Sequence, residues 1–146
     1  MRALLQRVTG ASVEVAGEKI ATIDAGLLIF LGVGHGDGQA EADRLADKAA
    51  ELRIFADEAG KMNRSLVESG GQALVVSQFT LYGDCARGRR PGFDQAAPPA
   101  LAEELYEYFL GRLRARGLIV AAGRFGAYMS VSLVNDGPVT FFLETP

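Results

Sequence analysis

The sequence is poor in the residues on which disulfides, metal sites and histidine-based hydrolysis depend. Its 146 residues include one cysteine, Cys85, one histidine, His35, and no tryptophan. A single cysteine cannot form an intrachain disulfide, and no cluster of Cys, His and carboxylate residues has the spacing of metal ligands. We therefore expect no zinc site, no other metal and no cofactor.

Long apolar runs are also missing. The longest run, residues 25–33, falls far short of the roughly 18 residues that a membrane-spanning helix requires. The chain begins with MRALLQRV and lacks the extended apolar region of a signal peptide. These features predict a cytoplasmic protein with no membrane partner.

Charge of one sign does not dominate either. The formal net charge of −3 provides no general attraction to nucleic acids. The length and the 49% hydrophobic content favour one domain that spans residues 1–146. Two arginine clusters are present, and each alone is typical of solvated surface: Arg87, Arg89 and Arg90, and Arg112, Arg114 and Arg116.

Alternating and continuous apolar segments predict a sheet-rich fold. Residues 3–8 and 12–15 are predicted as two strands, separated by Thr9 and Gly10, that pair antiparallel. The run 27–33 is expected to be buried on both faces. The other predicted strands cover residues 19–23, 73–81, 128–134 and 139–143, with a turn at Asn135, Asp136 and Gly137 between the last two.

Two amphipathic helices are predicted between these strands. Apolar residues recur at helical spacing from Gln39 to Arg53, with charged residues on the opposite side. A second helix should begin near Pro98 and Pro99, where proline suits the first turn, and end at Gly117. Because helices and strands do not alternate regularly, the sequence favours an α+β fold with mostly antiparallel strands.

Polar residues interrupt the hydrophobic segment 73–81. Strand alternation would place Gln78 and Thr80 on one face and Ser77 on the other, although hydroxyls in a strand are ordinarily structural. His35 lies in a glycine-rich loop that lacks the spacing of a phosphate-binding motif, and we expect it to face solvent rather than to act in catalysis.

A second unusual segment follows Asn135. Pro138 cannot donate a ladder hydrogen bond, so simple strand pairing does not explain this corner. Taken alone, Asp-Gly-Pro is more often just a turn, and the sequence does not reveal whether the bond to Pro138 is cis or trans.

Six segments occur together and in a fixed order: RALLQRVTGASVEV, GLLIFLGV, RIFADEAGKMN, SQFTLYGD, RRPGFD and MSVSLVNDGPVTFFLE. In these segments the chain resembles the D-aminoacyl-tRNA deacylases over nearly its whole length. Enzymes of that family hydrolyse the ester that joins a D-amino acid, or glycine, to the terminal adenosine of tRNA, and they spare standard L-aminoacyl-tRNAs. The resemblance therefore implies an editing hydrolase that recycles mischarged tRNA.

The resemblance also implies a fold and an assembly. The family fold is a barrel-like α+β domain that dimerises, with each active site at the subunit interface. Its Gly-Pro element is cis and reaches into the partner's pocket. We therefore expect a homodimer that binds the acceptor end of aminoacyl-tRNA, and the three arginines at 87, 89 and 90 become candidates for phosphate contact.

Individual site residues follow from matching the family's motifs to this chain. Gly137 and Pro138 match a chirality filter that acts across subunits. Phe125 and Met129 match the part of the pattern next to the pocket, and Arg7 matches the arginine that orients the Gly-Pro carbonyls. The SQFTL motif supplies the pocket residues Ser77, Gln78, Phe79 and Thr80.

Ester hydrolysis without a histidine base or a metal leaves two routes. In the first, Thr80 attacks the ester carbonyl, but a hydroxyl nucleophile normally needs an adjacent base, and the motif shows none. In the second, the backbone N–H of Phe79 stabilises the developing oxyanion while the free hydroxyl of the terminal ribose helps to activate water. We favour the second route, with Thr80 and Gln78 positioning the substrate.

Two rival hypotheses stand beside this one. A module that binds tRNA ends without hydrolysis would use SQFTL only as a structural strand, and turnover of charged tRNA separates it from an enzyme. A related hydrolase could act on a different mischarged amino acid through changes around Gly137 and Pro138. Comparing the D-tyrosyl, glycyl and L-alanyl esters of tRNA would decide between these specificities.

Overall fold

The computed structural model describes residues 1–146. Its strands are β1 (Arg2–Val15), β2 (Glu18–Ile23), β3 (Gly26–Gly32), β4 (Phe55–Ala56), β5 (Met62–Arg64), β6 (Gln72–Ser77), β7 (Val120–Ala122) and β8 (Ser130–Glu144). The α-helices are α1 (Gln39–Glu51), α2 (Leu66–Ser69) and α3 (Pro99–Ala115), and a 3₁₀ turn covers Phe79–Tyr82. None of the helices combines the length and the apolar character that crossing a membrane requires.

β1 is one strand of 14 residues, so the prediction of two short strands that pair with each other is wrong. One edge of β1 pairs antiparallel with β3 through residues 2–8 and then with β2 through residues 11–15. The other edge pairs antiparallel with β8 from Arg2 to Glu14. Thr9 and Gly10 fall between the β3 and β2 pairings, and it is the ladder with β8, which pairs Gly10 with Val134 after a register shift, that carries the strand past them.

β8 is also continuous, and the predicted hairpin turn at Asn135, Asp136 and Gly137 is wrong. Both halves of β8 pair with β1, and the three residues form an irregularity in that ladder. The Asn135 side-chain amide donates to the carbonyl oxygens of Arg7 and Val139, each at 3.0 Å. These two hydrogen bonds bridge the interruption and keep the chain beside β1.

Parallel pairing extends the sheet beyond β3. The strand order is β2-β1-β3-β6-β7, with β8 on the free edge of β1, and β3 pairs with β6 and β6 with β7 in parallel. The other four pairings are antiparallel. The predicted α+β class, the mostly antiparallel pairing and the two flanking helices are confirmed, while the parallel pairs were not foreseen.

Two hydrophobic cores lie on opposite faces of β3 and β6. α1 and α3 cover one face, where Leu27, Ile29 and Val75 are fully buried. On the other face Leu28 and Leu74 pack against β2 and the second half of β1, which curl over to make the sheet barrel-like. β3 is therefore buried on both faces, as its continuous apolar run predicted.

The second arginine cluster joins the two long helices. Arg112 pairs with Asp43 at 3.4 Å and with Asp47 at 3.1 Å, and Arg116 pairs with Asp47 at 3.0 Å and with Glu51. The hydrogen bond from Arg112 holds the pKa of Asp47 below its ordinary value. The expectation that this cluster is solvated surface is thus incomplete, because Arg112 and Arg116 form ion pairs with α1.

We expect Gly26→Ala to lower the free energy of unfolding by about 3 kcal/mol. A Cβ at Gly26 would lie 1.8 Å from the carbonyl oxygen of Gln72, and neither backbone can retreat without breaking the ladder between β3 and β6. Urea denaturation measures the change. Gly111→Ala is the control, since nothing lies within 4 Å of a Cβ at this position in α3. It should raise the free energy of unfolding by about 1 kcal/mol, because alanine favours the helix more than glycine does. Equal effects of the two substitutions would contradict this expectation.

Candidate active site

A cavity of about 530 Å³ opens at the carboxyl ends of the three parallel strands. β3 leads into it through Val33 and His35, β6 through Ser77, and β7 through Phe125. The first turns of α3, which include Ala102, close another side. Ligands bind outside the carboxyl ends of strands in many sheets with parallel strands, so this position is suited to a functional site.

The SQFTL motif forms a turn at this edge rather than a continuation of the strand. β6 ends at Ser77, and the 3₁₀ turn begins at Phe79, so the predicted alternation of Ser77, Gln78 and Thr80 between two faces is wrong. The Gln78 N–H still donates to Leu31 of β3 at 2.7 Å, but the Leu81 N–H donates back to the Gln78 carbonyl at 3.2 Å. That backward bond closes the turn; we call residues 77–82 the site turn.

The site turn leaves backbone donors free beside the cavity. The first N–H that bonds within the turn is that of Leu81, so the N–H groups of Phe79 and Thr80 have no partner inside it. Ser77, Gln78 and Phe79 line the cavity. Thr80 lies just outside the lining, and its hydroxyl accepts a hydrogen bond from the side-chain amide of Gln78.

Arg2 of β1 supports the site turn through two contacts, one of them with Tyr82 of the turn itself. One Arg2 nitrogen donates to the Leu81 carbonyl at 2.9 Å, and the guanidinium lies over the Tyr82 ring, 4.4 Å from its centre. Tyr82 is buried, and this burial raises the pKa of its hydroxyl to about 12. A Cβ at Gly34 would lie 2.6 Å from the Tyr82 ring, so glycine is required where the loop after β3 passes this side chain.

The remaining predicted site residues lie in different places. Phe125 lines the cavity, whereas Met129 does not and packs against the core inside the barrel-like half of the sheet. Neither Gly137 nor Pro138 lines the cavity of its own chain, and both are exposed. Arg7 also lies outside the lining.

Arg7 contacts the backbone next to the Gly-Pro segment. Its Nε donates to the Asp136 carbonyl at 3.1 Å, and another guanidinium nitrogen donates to the Ile54 carbonyl at 2.7 Å. The Gly137–Pro138 peptide bond is cis, and Gly137 has a φ of +143°. Arg7 therefore fixes the position of one carbonyl that precedes this segment.

Three further lining residues bring polar or aromatic side chains to the cavity, although the sequence did not single them out as site residues. His35 is exposed, as expected for its loop, but it also faces the cavity. The Phe93 ring lies edge-on to that of Phe79 at 5.0 Å, and its place in RRPGFD was an available signal. Tyr106 is buried, and only its helical spacing from Ala102 could have placed it on this side of α3.

Tyr106 ties α3 to β6 behind the cavity. Its hydroxyl donates to the Val75 carbonyl at 3.0 Å, and burial raises its pKa to about 12. The same carbonyl also accepts the Gly123 N–H at 3.0 Å. No group of three or more His, Cys, Asp and Glu residues is arranged to hold a metal ion.

Tyr106→Phe should lower the free energy of unfolding at neutral pH by about 1 kcal/mol, because one hydrogen bond is lost while Val75 keeps its second donor. The raised folded-state pKa favours the neutral hydroxyl. The contribution of this hydroxyl to the free energy of unfolding is therefore fully present below pH 10 and is lost as the pH rises from 10 towards 12. The Phe variant lacks this contribution, so its stability should fall less over the same range. Urea denaturation at neutral and alkaline pH measures both effects. Tyr128→Phe, at a side chain 94% exposed, should change neither.

Comparisons with known proteins agree with the motifs. The family model described as D-Tyr-tRNA(Tyr) deacylase matches residues 4–144. A D-aminoacyl-tRNA deacylase from a Roseiflexus species is 60% identical over 145 residues, which are 99% of this chain and 94% of that protein. Another from Brevibacillus brevis is 57% identical over 145 residues, which are 99% of this chain and 100% of that protein.

Solved structures share the fold. The c-Myc DNA Unwinding Element Binding Protein superposes with a TM-score of 0.94 at 43% identity, covering 100% of this chain and 99% of that one. A probable eukaryotic D-amino acid tRNA deacylase has the same fold, with a TM-score of 0.84, 18% identity and 97% of each chain covered. Since the family model matches nearly the whole chain and relatives share 57% and 60% of its residues, the chain belongs to the D-Tyr-tRNA(Tyr) deacylase family of hydrolases.

Proposed function

We propose that the chain hydrolyses the ester between a D-amino acid, or glycine, and the terminal adenosine of tRNA, and so recycles mischarged tRNA in the cytoplasm. The site turn is the observation that carries the proposal, because it leaves the N–H groups of Phe79 and Thr80 free at the rim of a cavity of about 530 Å³. That volume suits a small ligand, and a mostly apolar lining strengthens any hydrogen bond made within it.

The free N–H groups match the main requirement of ester hydrolysis. Attack of water on the ester carbonyl places negative charge on its oxygen, and a fixed backbone donor stabilises that charge without reorganising. The Phe79 N–H is fixed because Gln78 and Leu81 close the turn around it and Arg2 holds the Leu81 carbonyl. The free hydroxyl of the terminal ribose helps to activate the water for this attack. Collapse of the tetrahedral intermediate then breaks the bond between the acyl carbon and the ribose oxygen, and that oxygen takes up the proton that the water gives up.

Thr80 positions the substrate in this mechanism. Its hydroxyl accepts a hydrogen bond from the Gln78 amide, and none of its hydrogen bonds runs to a carboxylate or an imidazole. An attacking hydroxyl needs a base to take its proton. The pairing with Gln78 supports a role in orientation, which suits an aminoacyl ester that is already labile.

Removing the backbone donor should matter more than removing either side chain. Phe79→Pro eliminates the N–H and should lower kcat by about 10²-fold or more, while Phe79→Ala keeps the N–H and loses only the ring. Thr80→Ala should lower kcat by about tenfold or less, because one hydrogen bond is lost. Steady-state hydrolysis of D-tyrosyl-tRNA by folded variants measures these effects. A burst with a trapped acyl-Thr80 species would instead establish the nucleophile route.

We propose that the site selects the D form of the amino acid by excluding the L form. Every L-amino acid directs its Cβ the same way from the α-carbon, so one rigid backbone wall can reject all of them without gripping any D side chain. Gly137 and Pro138 suit such a wall, because they are exposed and are flanked by backbone that Arg7 and Asn135 hold. Glycine has no Cβ, so this wall cannot exclude glycyl-tRNA.

The wall is proposed to act in the cavity of a second copy of the chain. Gly137 and Pro138 do not line the cavity of their own chain, and both are exposed on the surface of that chain. β8 pairs only with β1, and it exposes large apolar side chains that a partner would cover: Val134, Phe141 and Phe142. A homodimer with active sites at the subunit interface accounts for both observations.

The chain should hydrolyse D-tyrosyl-tRNA and glycyl-tRNA and leave L-tyrosyl-tRNA nearly untouched. Gly137→Ala should impair turnover of the D substrate, since a Cβ there crowds the pocket and would lie 2.6 Å from Val139 Cγ2. Asp136→Asn is the neighbouring control and should matter less. Similar rates on the D and L esters, or full activity of Gly137→Ala, would refute the filter.

Mixing two impaired variants tests whether the filter crosses subunits. In a mixed dimer of Gly137→Ala and Phe79→Pro, one site combines an intact site turn with an intact Gly-Pro segment. Activity should therefore recover when the two variants exchange subunits. No recovery despite exchange, or a fully active monomer in sedimentation, would show that each chain completes its own site.

A further inference from the structure

The two arginine clusters of the sequence differ in their partners. Arg112 and Arg116 bind carboxylates of α1. None of the ion pairs or side-chain hydrogen bonds of the chain involves an arginine of the other cluster, and all three are exposed: Arg87, Arg89 and Arg90. Three positive charges on one short loop are therefore held together without an internal counterion, which favours an anionic partner from outside.

The loop that carries these charges begins directly after the site turn and ends at a residue that lines the active-site cavity. Gly83 caps the site turn by donating to Thr80 at 2.9 Å, and Asp84 starts the loop immediately afterwards. Asp84 and Gly92 exchange two backbone hydrogen bonds of 2.7 and 2.9 Å, which pin the loop at its base. The next residue, Phe93, lines the cavity and packs against Phe79. We call residues 84–92 the arginine loop.

Acidic groups near the arginine loop do not cancel its charge. The Asp84 carboxylate accepts the Ala86 N–H at 2.9 Å and so is used within the loop's base. Asp94 follows Phe93 and is exposed. Three arginines against these two carboxylates leave the loop basic, although the whole chain carries a net charge of −3. The excess positive charge is thus local to the loop that adjoins the cavity through Phe93.

The arginines lie within reach of a nucleic acid strand that would leave the cavity beside Phe93. Arg90 precedes Phe93 by three positions, a span of at most about 10 Å, and an arginine side chain adds several ångströms of reach. If the terminal adenosine carries its ester into the cavity, the phosphodiesters on its 5′ side must pass this rim. Guanidinium groups bind phosphate oxygens through paired hydrogen bonds without reading bases.

We infer that the arginine loop binds the phosphodiester backbone of the single-stranded acceptor end of the tRNA substrate and so holds the terminal adenosine over the site turn. The inference rests on the proposed function. It assigns to these three arginines the affinity for tRNA that the overall acidic chain does not otherwise provide. It leaves the chemistry of the ester to the site turn.

The test compares one ester that carries phosphodiesters with one that has none. The triple variant Arg87→Gln, Arg89→Gln and Arg90→Gln is assayed on D-tyrosyl-tRNA and on the D-tyrosyl ester of adenosine, over a range of salt concentrations. The control variant carries the same loss of charge at exposed arginines outside the loop that make no ion pair: Arg44→Gln, Arg53→Gln and Arg114→Gln. Circular dichroism verifies that both variants are folded.

For the loop variant, kcat/KM on D-tyrosyl-tRNA should fall by about tenfold or more at low salt. The slope of log kcat/KM against log salt should also become shallower by about 2, since three phosphate contacts are lost and each contributes about 0.7 on a single strand. Its activity on the adenosine ester and both activities of the control should stay within twofold of the wild type. An equal loss on both esters, an equal loss in the control, or no loss on tRNA would overturn the inference. Failure of the wild type on both esters would instead refute the proposed function.

Discussion

β1 is hydrogen-bonded along both edges over most of its length, and the other strands take their positions from it. Its first half places β3 and the parallel strands against the helices, and its second half carries β2 over the opposite face. Two arginines of this strand then act on remote backbone, because Arg2 holds the Leu81 carbonyl and Arg7 holds the Asp136 carbonyl. One strand thus supports both the site turn and the Gly-Pro segment.

Burial on both faces of β3 and β6 confines polar chemistry to the strand ends. β3 and β6 are paired on both edges, so their backbone groups are used by the ladders and free donors arise where these strands stop. The site turn is such a stop, and two glycines let the end of β3 approach it. A Cβ at Gly32 would lie 3.0 Å from the Gln78 carbonyl, and one at Gly34 would lie 2.6 Å from the Tyr82 ring.

Local patterns predicted the elements that local interactions determine. Both long helices and the doubly buried β3 follow from spacing and from apolar runs. The breaks predicted at Gly10 and at Asn135 were wrong, because pairing between β1 and β8 is a contact between chain ends that no local pattern reveals. The end of β6 at Ser77 was missed for a different reason: the bond from Leu81 back to Gln78 is local, and it competes with a strand pattern that the apolar run alone favours. His35 reaches the cavity through tertiary packing, and helical spacing puts Tyr106 on the same side of α3 as Ala102 without revealing that this side faces a cavity.

In the proposed mechanism, backbone groups rather than side chains act on the ester, which is why side-chain patterns alone could not reveal the chemistry. The chain has only one histidine and one cysteine, whereas the donor proposed for the oxyanion is a main-chain N–H. Backbone donors and backbone walls act on the parts that all aminoacyl esters share, namely the carbonyl and the direction of Cβ. An apolar cavity discriminates weakly between side chains that differ by a methylene, at about 1–3 kcal/mol each. A site built in this way is suited to read chirality while accepting many D-amino acids.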